Sequence, residues 1–473
     1  MKKWLLAGFC FLALAGCGKE RLANDITAPA PIVVREEETS GSRAREGVRT
    51  AEADHPEQAE PVRKEAVKVK GIYLTAPVAG SQARMDEIIE KIGQTELNAV
   101  VIDFKDDQGR ITCRVDSPVI NEIEACQAYI EDMPALMKRL KENGIYTIAR
   151  IVAFRDPYLA EKKPEWCMKL ADGTVFRDSQ GLAWIDPYKQ EVWEYLAEVG
   201  EKAAECGFDE VQFDYIRFCT ERGVDAVVFD EEDRQGRSKT DAITQFTSYI
   251  YEKLSSKVYV AADVFGGVIS SRQDGEAVGQ LYAEMANYLD YLCPMIYPSH
   301  YGNGYFGIEY PDMEPYATVR AALRGSAREL GRHRTEGERQ AAVRPWLQDF
   351  TASYLEHHIE YGKDQIRAQI QAVYDAGYDE WILWNAASQY TWDGLKTAEE
   401  AEAEAEAIAQ SRAALSEEER ETAGFAAGEP ETSGPPPELT EMPELPKYVE
   451  PAGGQESEEE ESVGVVIPQM RME

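Results

Sequence analysis

Residues Met133–Ala153 read MPALMKRLKENGIYTIARIVA. The first half, Met133–Asn143, carries apolar residues at helical spacing, and Asn143-Gly144 closes it. Glycine just past a helix end supplies the left-handed conformation that a C-cap needs. The second half, Tyr146–Ala153, is a short β-branched and aromatic run, which reads as a strand. The same helix-glycine-strand joint recurs at Cys206-Gly207 and Ala376-Gly377. Working outward, strands are expected at Lys70–Leu74, Ala99–Phe104, Tyr146–Ala153, Glu210–Phe218, Val258–Val264, Tyr288–Ile296, Val343–Phe350 and Glu380–Asn385. Helical patterns such as Met85–Gln94, Glu191–Cys206 and Ile366–Ala376 lie between them. Regular alternation means βα units on a parallel sheet, and eight units across residues 68–396 fit an α/β fold, the (β/α)8 TIM barrel. A doubly wound open sheet is disfavoured, because Thr75-Ala76-Pro77-Val78 after the first strand is no Gly-rich dinucleotide turn.

Composition narrows the chemistry. The 473 residues carry a formal charge of −36, which argues against nucleic acid as a partner and against electrostatic docking on anionic lipid. GxxxxGK[ST], HExxH and GxSxG are all absent from the sequence, which leaves P-loop, zinc-protease and common serine-esterase layouts without support. No nucleotide or metal cofactor is implied. Asp103, Asp106 and Asp107 are hard oxygen ligands but lack EF-hand spacing, so a solvated acidic loop is the simpler reading.

Active sites of such barrels lie where the strands end. Here the exits read Asp103-Phe104-Lys105-Asp106-Asp107, Phe154-Arg155-Asp156, Asp214-Tyr215-Ile216-Arg217-Phe218, Asp263-Val264-Phe265-Gly266, Met295-Ile296-Tyr297-Pro298-Ser299-His300-Tyr301, Gln348-Asp349-Phe350 and Trp384-Asn385. A single Asp at a strand end is often only a cap. Carboxylates at five exits, with Tyr and Trp beside them, suit glycoside hydrolysis, in which one carboxyl protonates the leaving oxygen and another attacks carbon or activates water. Asp214, Asp263 and Asp349 are the catalytic candidates. Tyr73, Asp103, Tyr215, Arg217, Tyr297, His300, Trp346, Trp384 and Asn385 are the candidates for holding sugar. Asp214 is expected to be held by Arg217 or by donors such as Tyr297, and Asp263 to share the mouth with it.

The segments Lys70–Thr75, Val101–Asp106, Phe213–Phe218, Ala262–Gly266 and Met295–Tyr301 together resemble a family of bacterial glycoside-hydrolase-like domains known as DUF4015, distantly similar to the α-amylase barrels. The resemblance spans about residues 68–396. The α-amylase layout implies a nucleophile at Asp214, an acid/base at Asp263 and a stabilising carboxylate at Asp349. Two departures stand out: Asp263 replaces the usual Glu, and Gln212 stands where an Arg normally precedes the nucleophile.

The flanks read differently. Residues 1–16 pair a Lys-Lys start with a short apolar stretch, which reads as a signal peptide. Leu14-Ala15-Gly16-Cys17 resembles a bacterial lipobox, implying lipidation of Cys17 and a membrane-anchored extracytoplasmic lipoprotein. Residues 17–67 read as a flexible tether. Residues 397–473 carry 21 acidic and 4 basic residues, and read as a largely disordered tail whose Ala/Glu run could extend a helix closing the barrel. Six cysteines remain after Cys10 and Cys17, and Cys113 with Cys126 is the first disulfide to test. The function expected is hydrolysis of an extracytoplasmic polysaccharide or cell-wall glycan. The competing readings are a carbohydrate-binding barrel without catalysis and a structural envelope lipoprotein.

Overall fold

A computed structural model of the chain describes residues 66–414 with the exception of residue 336. The leader, Cys17, nearly all of the tether, and the chain beyond 414 lie outside the described residues.

Eight parallel strands close into a barrel: β1 (Lys70–Leu74), β2 (Ala99–Lys105), β3 (Tyr146–Val152), β4 (Glu210–Asp214), β5 (Tyr259–Phe265), β6 (Tyr291–Ile296), β7 (Trp346–Gln348) and β8 (Trp381–Trp384). The ring closes where β1 pairs both with β2 and with β8, Lys70 lying opposite Trp381. The principal helices follow the strands in turn: α1 (Gln82–Gly93), α2 (Met133–Glu142), α3 (Gln190–Glu205), α4 (Lys239–Leu254), α5 (Arg272–Val278), α6 (Pro315–Arg332), α7 (Lys363–Asp375) and α8 (Ala398–Ala413). Their starts follow local chemistry. Asp132 accepts from Ala135 N to cap α2, and Ser238 with Asp241 forms a capping box on α4.

β2 and β3 are buried at every position because one face meets the helices and the other the lumen. One apolar cluster, with Val100, Ile102, Ile151 and Phe213, packs the wall against the helices. A second, with Val101, Ile148, Ala261, Cys293 and Trp346, fills the lumen. Each such side chain contributes roughly 1.5–3 kcal/mol on full burial. At the N-terminal end the lumen is plugged by a charged triad, Arg344 donating to Glu210 at 2.7 Å and to Glu380 at 2.9 Å.

Several strands are shorter than the sequence suggests. β4 stops at Asp214 instead of Phe218, because Tyr215 adopts φ 55° and its N–H turns onto Asp214 Oδ1 at 2.6 Å. The seventh wall position is split into Ala342–Val343 and β7, with Pro345, which has no N–H for the ladder, between them. The Ala/Glu run is helical: α8 starts on a Thr397–Glu400 capping box, buries Ala401, and ties back through Lys396–Glu404 at 2.5 Å and Arg412–Asp379 at 2.7 Å.

Two long loops build a roof over one side of the mouth. The segment after β3 and the segment after β4 pair antiparallel, Lys169 opposite Val228 and Leu170 opposite Val227. Met168, Phe176, Trp184 and Cys219 form a small core beneath that pair.

Candidate active site

The floor of the mouth is organised by a residue that the sequence reading passed over. Arg150 projects from β3, in register with Gln212 on β4. Its guanidinium donates to Asp214 Oδ2 from Nε at 3.0 Å and from Nη2 at 2.6 Å, to Asp103 Oδ1 from Nη1 at 2.8 Å, and to Asp107 Oδ2 from Nη1 at 3.2 Å. Arg155 also pairs with Asp107. Burial would raise the Asp107 carboxyl, but Arg150 and Arg155 overcome it and hold it below the usual range. Asp103 receives the Tyr73 hydroxyl at 2.5 Å, and burial lifts its pKa to about 7 against the pull of Arg150.

Asp214 and Asp263 stand side by side. β4 and β5 pair up to Phe213 opposite Ala262, so the next residues are neighbours on adjacent strands, whose spacing is ~4.8 Å. Their surroundings are opposite. The Asp214 carboxyl accepts three N–H groups, two of them from a guanidinium. Among the described residues, the Asp263 carboxyl accepts only from Trp346 Nε1, at 2.7 Å, through Oδ1. Burial first, and then the charge of Asp214, push the Asp263 carboxyl well above the usual carboxylate range.

Aromatic rings wall the site. Tyr73 stacks on Trp384 with centroids 4.2 Å apart, and Trp346 meets Trp384 edge-on at 5.5 Å. Tyr297 is buried, with Asp263 and Asp214 the main charges acting on its hydroxyl and the His300 ring 5.0 Å away. Burial lowers His300 to about 4, so its imidazole is neutral at pH 7. Tyr215, in its left-handed conformation, lies beneath Arg155 at 3.8 Å. A non-glycine residue held at positive φ costs about 1–3 kcal/mol, and such strain concentrates at working sites.

Asp103, Asp214, Asp263, Tyr73, Tyr297, Trp346 and Trp384 are thus gathered in one network. Asp349 stands outside it: its carboxylate accepts from Thr391 Oγ1 at 2.7 Å and from Thr391 N at 3.0 Å, anchoring a loop. Asn385 shapes the same loop, donating to Asp349 O at 2.6 Å and accepting from Ala387 N. Asp156 caps a short helix by accepting from Leu159 N and pairs with Lys105 at 2.7 Å, and Asp106 accepts from Gln108 N and Arg110 N within its own loop. Arg217 is not the partner of Asp214. The Tyr215 turn carries it into the roof, where Nη1 donates to Phe218 O at 3.1 Å. The guanidinium missing at position 212 is supplied from the neighbouring strand by Arg150. Away from the mouth, Cys113 and Cys126 are both free thiols, and the Cys113 thiol is raised first by Cys206 and then by burial.

A closed barrel whose C-terminal mouth holds neighbouring carboxyls in opposite environments, lined by stacked aromatic rings, is a glycosidase-like site. The chain belongs to the DUF4015 family, described as "Putative glycosyl hydrolase domain", which matches residues 71–390. No curated protein matches the sequence. Among solved structures, the chain is similar to a hypothetical protein from Ruminiclostridium thermocellum ATCC 27405, with 37% identity, 41% of this chain and 97% of that one covered, and a TM-score of 0.38. It is also similar to the PgaB (BpsB) glycoside hydrolase domain from Bordetella bronchiseptica, with 14% identity, coverage of 69% and 95%, and a TM-score of 0.46. A third likeness is to the α-galactosidase TtGalA from Thermus thermophilus, with 13% identity, coverage of 74% and 63%, and a TM-score of 0.43.

Proposed function

We propose that the chain hydrolyses O-glycosidic bonds, with Asp214 as nucleophile and Asp263 as general acid. The observation that carries this reading is the contrast between the two carboxyls: one lies on a guanidinium fork, and the other is desolvated with a single N–H donor. Groups whose environments push their proton affinities apart divide acid and base roles between them. Trp346 holds Asp263 Oδ1 as an acceptor, leaving Oδ2 to carry the proton to the leaving oxygen. Asp214 then bonds to the anomeric carbon. Water, deprotonated by the Asp263 carboxylate, releases the sugar and returns the proton. A nucleophilic Asp214 makes this the two-step retaining course. Arg150 keeps Asp214 oriented, and the half-buried Trp384 ring, backed by the buried Tyr73 and Trp346 rings, is the aromatic surface offered to sugar.

The substrate we propose is an extracytoplasmic polysaccharide or cell-wall glycan, reached by a protein anchored to the membrane through lipid on Cys17. The lipobox-like Leu14-Ala15-Gly16-Cys17 is what supports that placement. The test is release of reducing ends from a glycan panel by the full-length chain, with Asp263→Asn alongside. Turnover by the wild type that Asp263→Asn abolishes supports the reading. Binding without turnover by a folded wild type favours a carbohydrate-binding barrel.

A further inference from the structure

Among the described residues, four arginines are at least nine-tenths buried: Arg150 at 2%, Arg217 at 9%, Arg339 at 5% and Arg344 at 0% exposure. Three of them rest on carboxylates. Arg150 has Asp103, Asp107 and Asp214, Arg339 has Asp290, and Arg344 has Glu210 and Glu380. Arg217 has none among the described residues; its one protein hydrogen bond goes to a backbone carbonyl, Phe218 O. Its other N–H groups make no protein hydrogen bond and are not sealed from solvent.

The guanidinium sits between the exits of β4 and β5, in a cage of rings: Phe265 at 4.6 Å, Trp184 at 4.8 Å and Tyr215 at 5.3 Å. The rings offset part of its desolvation, yet burial still pulls its pKa down. The carboxylates around it are engaged elsewhere. Asp214 lies on Arg150, and Asp178 in the same roof accepts from Trp184 Nε1 and from the N–H groups of Gln180 and Leu182. Arg155, on the same Tyr215 ring, is paired with Asp107 and keeps a buried Nε without a partner. A buried cation without its anion is costly and persists where a ligand completes it.

We propose that Arg217 is the specificity residue for an anionic sugar, and that the glycan this site takes carries a carboxylate or sulfate on the unit bound beneath the roof, beside Asp214. A guanidinium fork matches either oxyanion, and the half-buried Tyr215 ring stands beside it at the strand exit. The proposal rests on the glycosidase reading of the mouth and names its substrate class.

The experiment uses the full-length chain carrying Asp214→Asn, so that binding is read without turnover, at 0.15 M salt, where the long-range repulsion of an acidic protein is largely screened. The probes are uronic-acid oligosaccharides with their carboxyl-reduced forms, and sulfated oligosaccharides with their desulfated forms. At least one acidic glycan should bind about tenfold tighter than its neutral counterpart. The arm that shows this identifies the oxyanion. Adding Arg217→Met, which keeps the cage filled, should bring the ratio close to one, and Arg217→Lys should restore part of it. A thermal melt establishes that each variant is folded; if Arg217→Met is not, Arg217→Gln reads the same ratio. The proposal is overturned if no acidic glycan binds, if neutral forms bind as well, or if the ratio survives removal of the guanidinium. Turnover of neutral glycans by the wild type with a ratio of one would sink this proposal and leave the hydrolase standing. A Arg217-dependent preference without turnover of any glycan would do the reverse.

Discussion

Arg150 Nη2 stands 2.6 Å from Asp214 Oδ2, a contact between β3 and β4 that joins residues 64 apart in sequence. The same guanidinium holds Asp103 and Asp107, so one cation serves three carboxylates. Replacing it with Met leaves Asp103 and Asp214 buried without a cation, while Asp107 keeps Arg155. Loss of one partner from a buried pair costs about 3–5 kcal/mol. Arg150→Met should therefore unfold early in a urea or thermal titration. Arg150→Lys should recover much of the stability but not the activity, because a point charge cannot reproduce the fork on Asp214.

The reactive acid should be visible in the pH profile. Asp263 holds its proton well above the usual carboxylate range because it is buried and beside Asp214. Activity that needs the protonated form falls as pH rises through that pKa. The wild type should show an alkaline limb in kcat, and Asp263→Asn should lose both the limb and most of the turnover. A variant that kept the limb would assign it to another group.

Stability should also fall as pH rises from acid to neutral. Burial raises Glu210 and Asp103 to about 7 and Asp186 to about 6 in the folded chain. A raised folded pKa means that the native state binds the proton more tightly. The stabilisation is complete below the unfolded values near 4 and is lost through about pH 6–7. Glu96 and Asp107, which are lowered, act in the opposite sense only at more acid pH. The melting temperature should drop by at least a few degrees between pH 5 and 8. Glu210→Gln should flatten part of that slope.

The C-terminal boundary should lie after α8. Cutting after Lys396 removes the Glu404 and Arg412 ion pairs and buried Ala401, and should lower the melting temperature measurably. Partly exposed pairs contribute only about 0–1 kcal/mol each, so the loss should be modest. Cutting after Ala414 should leave it unchanged.

The thiols give a simple chemical check. Both thiols are free, and Cys206 is the group that acts most strongly on Cys113, so oxidation followed by peptide mapping should link Cys113 to Cys206. A Cys113–Cys126 link would contradict that arrangement.

The barrel was legible because its signals are local. Glycine joints such as Asn143-Gly144 and short apolar strands mark each βα unit, and the exits then place Asp214 and Asp263 at one mouth. What sequence spacing could not supply was the choice of partners. Arg217, three residues after Asp214, was the natural counterion, but the left-handed turn at Tyr215 sends it into the roof. The true counterion had left a trace: Arg150 interrupts the apolar run of β3 on the same face as the lumen residue Ile148, where a charge needs a partner. Asp349 looked equivalent to Asp214 at its strand exit, and only the return of the chain at Thr391 takes up its carboxylate.

The central claim is that Asp214 bonds to the sugar. The decisive measurement is kcat for Asp214→Asn on a glycan that the wild type cleaves, with a thermal melt to establish the fold. The account predicts a fall of roughly 10³-fold or more, with glycan binding retained. A folded Asp214→Asn variant that turns over at the wild-type rate would contradict it.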